Sequence, residues 1–169
     1  MKTNALPKYD MSDNSTNCCP RFNPDGWDEQ ELHFKDKLFV KAKTRGVFHI
    51  PINMGSVFSK TFKAIEKVDA LNMDNYIVLS HDPSSWTAEH LFSVTKKVPG
   101  QKMIHLDGEY LTKVFEGPYS KVSKWEKKMK AFVESKGKEV RKNYFFYTTC
   151  PKCAKAYGKN YIVAVSKTM

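Results

Sequence analysis

The chain has 169 residues, the size of one domain, and its 41% hydrophobic and 13% aromatic content against 27% charged residues excludes a disordered or fibrous protein. Its longest apolar runs, such as Tyr161 to Val165, fall far short of the roughly 20 residues a membrane helix needs, and Met1 to Asn17 lacks the apolar stretch of a secretory signal, so the chain reads as cytoplasmic with no membrane partner. A net charge of +10 raises nucleic acid as a partner, but only Arg21, Arg45 and Arg141 among the 28 basic residues are arginines, which disfavours it. The densest basic run, Lys121 to Lys142, reads as a solvated face.

In chain order, residues 1–35 form an N-terminal arm, partly extended and rich in Asn, Pro, Gly and Ser between Asn14 and Asp28; residues 36–169 form the domain. Asp36 to Ile50 has strand composition with a bulge signal at Arg45-Gly46, and Pro51 stops it. Val57, Phe58, Thr61, Phe62, Ile65 and Val68 recur at helical spacing, predicting a helix over about 55–69. Tyr76 to Ser80 is a short strand, and Trp86 to Lys97 is its hairpin partner. Val98 to Asp107 reads as a linking segment. Glu109 to Glu116 is then a strand, Val122, Trp125, Met129, Phe132 and Val133 stripe a helix of about 119–136, and Tyr144 to Thr149 and Asn160 to Val165 are two more strands. Strand, helix, strand, strand thus occurs twice, with Phe58 and Trp125, or Ile65 and Phe132, sharing an offset of 67 residues. The fold class is α+β: two tandem strand-helix-strand-strand repeats forming one shared antiparallel sheet, helices on one face, the other face and the groove between the halves free for a ligand.

Val98-Pro99-Gly100, Gly108-Glu109-Tyr110 and above all Phe115-Glu116-Gly117-Pro118-Tyr119 ahead of a helix resemble the GyrI-like small-molecule-binding domain, over about residues 36–168. This family also supplies the effector-binding domain of multidrug-sensing activators. Cys18-Cys19-Pro20-Arg21-Phe22-Asn23-Pro24, Tyr147 to Lys155 and Tyr157 to Tyr161 resemble a stand-alone subgroup of it labelled hydrolase. The resemblance implies a cleft between the repeats, lined by aromatics and an acid, that takes a hydrophobic or aromatic, often cationic small molecule. It also implies a hydrolytic option, since some relatives open cyclopropane-bearing alkylators. Two departures stand out: no helix-turn-helix precedes the domain, and Asn160 stands where many relatives carry a cleft glutamate.

With Asn160 neutral, Glu89 is the first candidate for the missing carboxylate. An acid among apolar cleft residues would have its pKa raised by desolvation and serve as general base, or its charge would attract a cation; a solvated strand carboxylate is the plain alternative. Tyr119 and Tyr147 are the candidates to steady developing negative charge, and His49, Trp86, Tyr110 and Tyr161 to contact the ligand. Glu116, before the second helix, reads as structural. No Gly-x-Ser-x-Gly elbow, phosphate loop or paired-histidine metal motif occurs.

Cys150-Pro151-Lys152-Cys153 is half of a zinc site, which Cys18 and Cys19 would complete if the arm folds back, although neighbouring side chains on an extended chain point apart. No cofactor is required, a structural zinc is one option, and free or redox thiols are the other. A thioredoxin-like role is disfavoured because no helix is evident after this Cys-x-x-Cys. The leading functional reading is ligand binding with hydrolysis; the alternative is a non-catalytic ligand-sequestering or gyrase-inhibitor-like protein with a protein partner.

Overall fold

The computed structural model describes residues 2–10, 12–48 and 50–169. Its strands are β1 (Glu31–Val47), β2 (Ile50–Pro51), β3 (Val78–His81), β4 (Thr87–Ser93), β5 (Lys102–Glu116), β6 (Val140–Tyr147) and β7 (Tyr161–Thr168). The helices are α1 (Met54–Lys67), α2 (Val122–Ser135), entered through a 3-10 turn at Tyr119–Lys121, and α3 (Pro151–Tyr157). Among the described residues no helix is long and apolar enough to cross a membrane.

Two strands run further than composition indicates. β1 starts at Glu31 rather than at Asp36, which sits in a bulge with φ +48°, its N–H donated to Asp107 Oδ1 at 2.7 Å. The expected linker before Asp107 is strand from Lys102 onward, and it pairs with β1 from Lys41↔Lys102 to Glu31↔Leu111. That pairing changes the architecture. All pairings are antiparallel, in the order β1-β4-β3-β6-β7-β5, and β5 returns to β1. Six strands therefore close into a barrel, with β2 appended to β1. The expectation of an open sheet with one free face is corrected: closure removes the edges that an open sheet would expose.

Strand alternation divides the barrel wall into two faces. Val40, His90, Phe92, Val78, Ser80, Phe145, Ile162 and Ala164 share the outer face, where the helices lie. α1 brings Phe58, Phe62 and Ile65, with the Phe58 ring 4.8 Å from His90 and 5.0 Å from Phe92. α2 brings Trp125, Met129 and Val133, a four-residue spacing that stacks one face of a helix, and Trp125 lies parallel to Phe115 at 5.5 Å. Gly117 (φ +144°) makes the turn into α2, where a Cβ would stand 3.3 Å from the Trp125 ring.

The inner face is filled rather than free. Phe39, Leu79, Leu91, Tyr110, Tyr144, Phe146, Val163 and Val165 point into it, and the N-terminal arm closes over them. Trp27 is wholly buried with its ring 5.5 Å from Phe146 and its indole N–H donated to Lys8 O; Phe22 and Tyr9 pack beside it. Tyr9 OH donates to Thr148 O at 2.8 Å, and Thr112 Oγ1 to Trp27 O. The arm is thus part of the core, its side chains contributing the apolar volume that barrel walls alone do not supply.

Candidate functional site

On the outer face, α2 does not reach β3, and the junction between β3, β6 and α2 is a cleft of about 500 Å³. This is within the usual range for small-molecule sites. Val122, Val140 and Phe145 give it apolar walls; Asp82, Glu126 and Tyr147 supply its polar chemistry. Burial first, then the negative charge of Asp82, the neighbouring Tyr119 and Glu126, raise the Tyr147 phenol above its ordinary pKa. Tyr119 lies 5.6 Å from Tyr147, ring to ring, and donates its hydroxyl to Thr149 O at 2.7 Å. Burial, with added repulsion from Cys150 and Cys19, pushes its pKa up to about 12. Two basic residues also border the cleft, but Arg141 donates to Met169 Sδ and the Lys142 ammonium lies 5.2 Å over the Tyr144 ring, on the inner side of β6.

The structure brings Tyr119 and Tyr147 together and leaves Glu89 apart from them. Glu89 pairs in register with His81 and alternates with His90, so it shares the inner face with Tyr144, whereas Tyr147 shares the outer face with Phe145. Its carboxylate is 20% exposed and pairs with Lys41 Nζ at 2.9 Å. That hydrogen bond, aided by the charges of Lys41, Lys142 and Lys43, outweighs burial and holds the carboxyl below the usual carboxylate range. The expected upward shift is therefore reversed, because the site is cationic rather than apolar.

The other candidates are scattered. Tyr110 is 0% exposed, packed 4.7 Å from Phe34 in the core. Tyr161 points inward against Phe22 at 6.0 Å. Trp86, 54% exposed, leans on Phe48 at a hairpin tip, and His49 lies outside the described residues. Asn160 donates to Gly117 O at 2.8 Å and borders a separate, more open hollow of about 410 Å³ with Tyr119, Pro151 and Lys155. Sequence reasoning missed Asp82 and Glu126: one follows a strand and the other sits on a lysine-rich helix, and only closure of β3 against β6 makes them neighbours.

A second constellation lies where the arm meets the β6–β7 connection. The sulfurs of Cys18, Cys19, Cys150 and Cys153 all lie within 4.8 Å of one another, and all four cysteines are free thiols. The expectation that no helix follows the Cys-x-x-Cys is corrected, since α3 begins there with Cys150 as its N-cap. The Cys150 N–H is donated to Cys19 Sγ at 3.4 Å, the Cys153 N–H to Cys150 Sγ at 3.5 Å, and Thr16 Oγ1 lies 3.3 Å from Cys153 Sγ. Burial raises the Cys153 thiol, but hydrogen bonds from Thr16, Cys150 and Cys19 outweigh it and bring the pKa down to about 7. Burial pushes Cys19 in the opposite direction.

The family model described as "Bacterial hydrolase" matches residues 9–168. The chain belongs to this family. The match takes in the arm from Tyr9 onward as well as both cysteine pairs. Among solved structures, an uncharacterized conserved protein from Listeria innocua aligns with TM-score 0.60 and 11% identity, over 84% of this chain and 92% of its own. A hydrolase from Listeria innocua gives 0.57 and 13%, over 84% and 92%. The EcmrR C-terminal domain gives 0.57 and 12%, over 85% and 98%. At these identities the likeness is one of fold. No curated protein sequence matches at a significant level.

Proposed function

We propose that this bacterial hydrolase family member binds a flat, hydrophobic aromatic cation in the cleft between β3, β6 and α2. The observation that carries the reading is the meeting of Asp82, Glu126 and Tyr147 above the apolar side chains of Val122 and Phe145. Exposed carboxylates at the rim attract a cation, and tyrosine rings offer it a negative face. A GyrI-like duplicated architecture is supported by the strand order first, third, second in each half, β1-β4-β3 and β5-β7-β6. The cleft then falls at the seam between the two repeats.

The family's hydrolase description favours a second reading on the same residues. A carboxylate of Asp82 or Glu126 would take a proton from water as the water oxygen bonds to the substrate carbon. The Tyr147 phenol, held protonated, would hydrogen-bond to the negative charge that develops on the leaving atom. The test is fluorescence anisotropy of rhodamine 6G with the purified protein, alongside mass spectrometry of planar aromatic compounds, including cyclopropane-bearing alkylators, after incubation. Saturable binding supports the cleft reading, and a product heavier by one water supports hydrolysis. Binding without product leaves a sequestering protein. Absence of both contradicts the proposal.

A further inference from the structure

The four cysteines come from two places 131 residues apart, Cys19 in the arm and Cys150 ahead of α3, yet their sulfurs converge. The obstacle to a shared ion is the adjacency of Cys18 and Cys19, whose side chains would diverge on an extended chain. The chain is not extended there. Asn17, at φ +55°, donates its N–H to Asn14 O and turns the backbone, so Cys18 Sγ and Cys19 Sγ lie 3.8 Å apart on one side. Tetrahedral zinc with Zn–S bonds of about 2.3 Å requires sulfurs about 3.8 Å apart. The adjacent pair meets that spacing already, and contraction of less than an ångström or so brings sulfurs within 4.8 Å to it. A disulfide would need about 2.05 Å, a much larger displacement.

The surroundings are those of a thiolate cluster. Backbone N–H groups of Cys150 and Cys153 point at sulfur, and the Thr16 hydroxyl, which donates to Cys19 O, lies 3.3 Å from Cys153 Sγ. The knuckle is braced from outside: Tyr157 OH donates to Cys19 O at 2.5 Å, and the Arg21 guanidinium caps the Tyr157 ring at 4.5 Å. Such outer contacts fix ligand orientation before an ion arrives. Soft thiolates in a tetrahedral set select zinc over magnesium or calcium.

We infer that Cys18, Cys19, Cys150 and Cys153 bind one zinc ion that clasps the N-terminal arm to the barrel. Four protein ligands leave no open position for water, so the ion is structural. Its mechanical role follows from what it tethers: Cys18 and Cys19 lie between Tyr9 and Phe22, whose rings close the inner face with Trp27. Zinc binding and docking of the arm are therefore one event.

The test is metal analysis of the full chain purified without chelator, followed by cobalt substitution. One zinc per chain, and a cobalt form with the thiolate charge-transfer absorption of a four-sulfur site, is the expected result. Stripping zinc should red-shift the fluorescence of Trp27 and expose the arm to protease, with both reversed by zinc. Cys18→Ser, at an exposed position whose change leaves the core intact, should lose the four-sulfur cobalt signature while the chain stays folded. Iron in place of zinc, an unchanged cobalt spectrum in Cys18→Ser, or a metal-free folded chain whose thiols gain no protection from added zinc would each overturn the assignment.

Discussion

Glu89 and Asp82 are hairpin neighbours that face opposite sides of the same barrel wall. On the inner side, Lys41, Lys43 and Lys142 surround Glu89, and one of them binds it directly, so the carboxylate is neutralised where it stands. On the outer side, Asp82 and Glu126 line the cleft with Tyr147 and add their charge to the rise in its pKa, while Arg141 donates to Met169 Sδ and the Lys142 ammonium lies over the Tyr144 ring. The period-two alternation of strands makes this division, and it teaches that the face a carboxylate takes sets which charges surround it. The inner face is a packed core closed by the arm; the outer face keeps an opening where α2 stops short of β3.

The sharpest way to break the inner face is to remove the arm's largest ring. Trp27→Ala should cost roughly 3–5 kcal/mol in denaturant unfolding, because the wholly buried indole leaves a cavity against Phe146 and Phe22. Affinity for a cleft ligand, measured on the fraction still folded, should be kept. A mild loss of stability would mean that the arm lies on the barrel without filling it.

The outer face has its own weak point under α1. His90 is wholly enclosed, with Nε2 2.8 Å from Thr44 Oγ1 and Nδ1 2.7 Å from Ser80 Oγ, and burial pushes its pKa from 6.5 down to about 4. Between those values the unfolded chain takes up a proton that the folded chain refuses. Stability is therefore full above about pH 6.5 and falls as the pH drops towards 4, by on the order of 3 kcal/mol across the window. Urea titrations at pH 7 and pH 4.5 read the slope, and His90→Gln should flatten it. A slope unchanged in that variant would place the acid sensitivity elsewhere.

Smaller effects sharpen the cleft itself. Tyr147→Ala should weaken rhodamine 6G binding about tenfold, about 1.4 kcal/mol, by removing a ring face and its hydroxyl from the wall. Tyr147→Phe should leave binding within about threefold while abolishing any hydrolysis, since only the second role needs the phenol proton. Equal losses in both variants would argue that the hydroxyl binds and does no chemistry.

Much of this was legible locally. The stripes that form α1 and α2, the Gly117-Pro118 turn and the strands of the second half all carry short-range signals. The arm was not, because Tyr9, Phe22 and Trp27 follow no period among Asn, Pro and Gly, and their burial is decided by partners far along the chain such as Phe146 and Thr148. Barrel closure was hidden for a similar reason: β1–β5 pairing is long-range, and Asp36 and Asp107, where the expected strand began and the expected linker ended, sit at its bulge. Glu89's alternation with His90 was readable, but which face was inner depended on that closure. The Cys-x-x-Cys spacing offered half of a zinc site with free thiols as the alternative, and the turn at Asn17 that lets the adjacent pair converge had no clear signature.

The most direct test of the cleft reading is the affinity of rhodamine 6G for Asp82→Asn and for Glu89→Gln, measured side by side under the same salt conditions. The account predicts about tenfold weaker binding in Asp82→Asn, from loss of one charge at the rim, and binding within about twofold of the parent in Glu89→Gln. Weakening in Glu89→Gln with no change in Asp82→Asn would place the ligand on the inner face and contradict the account.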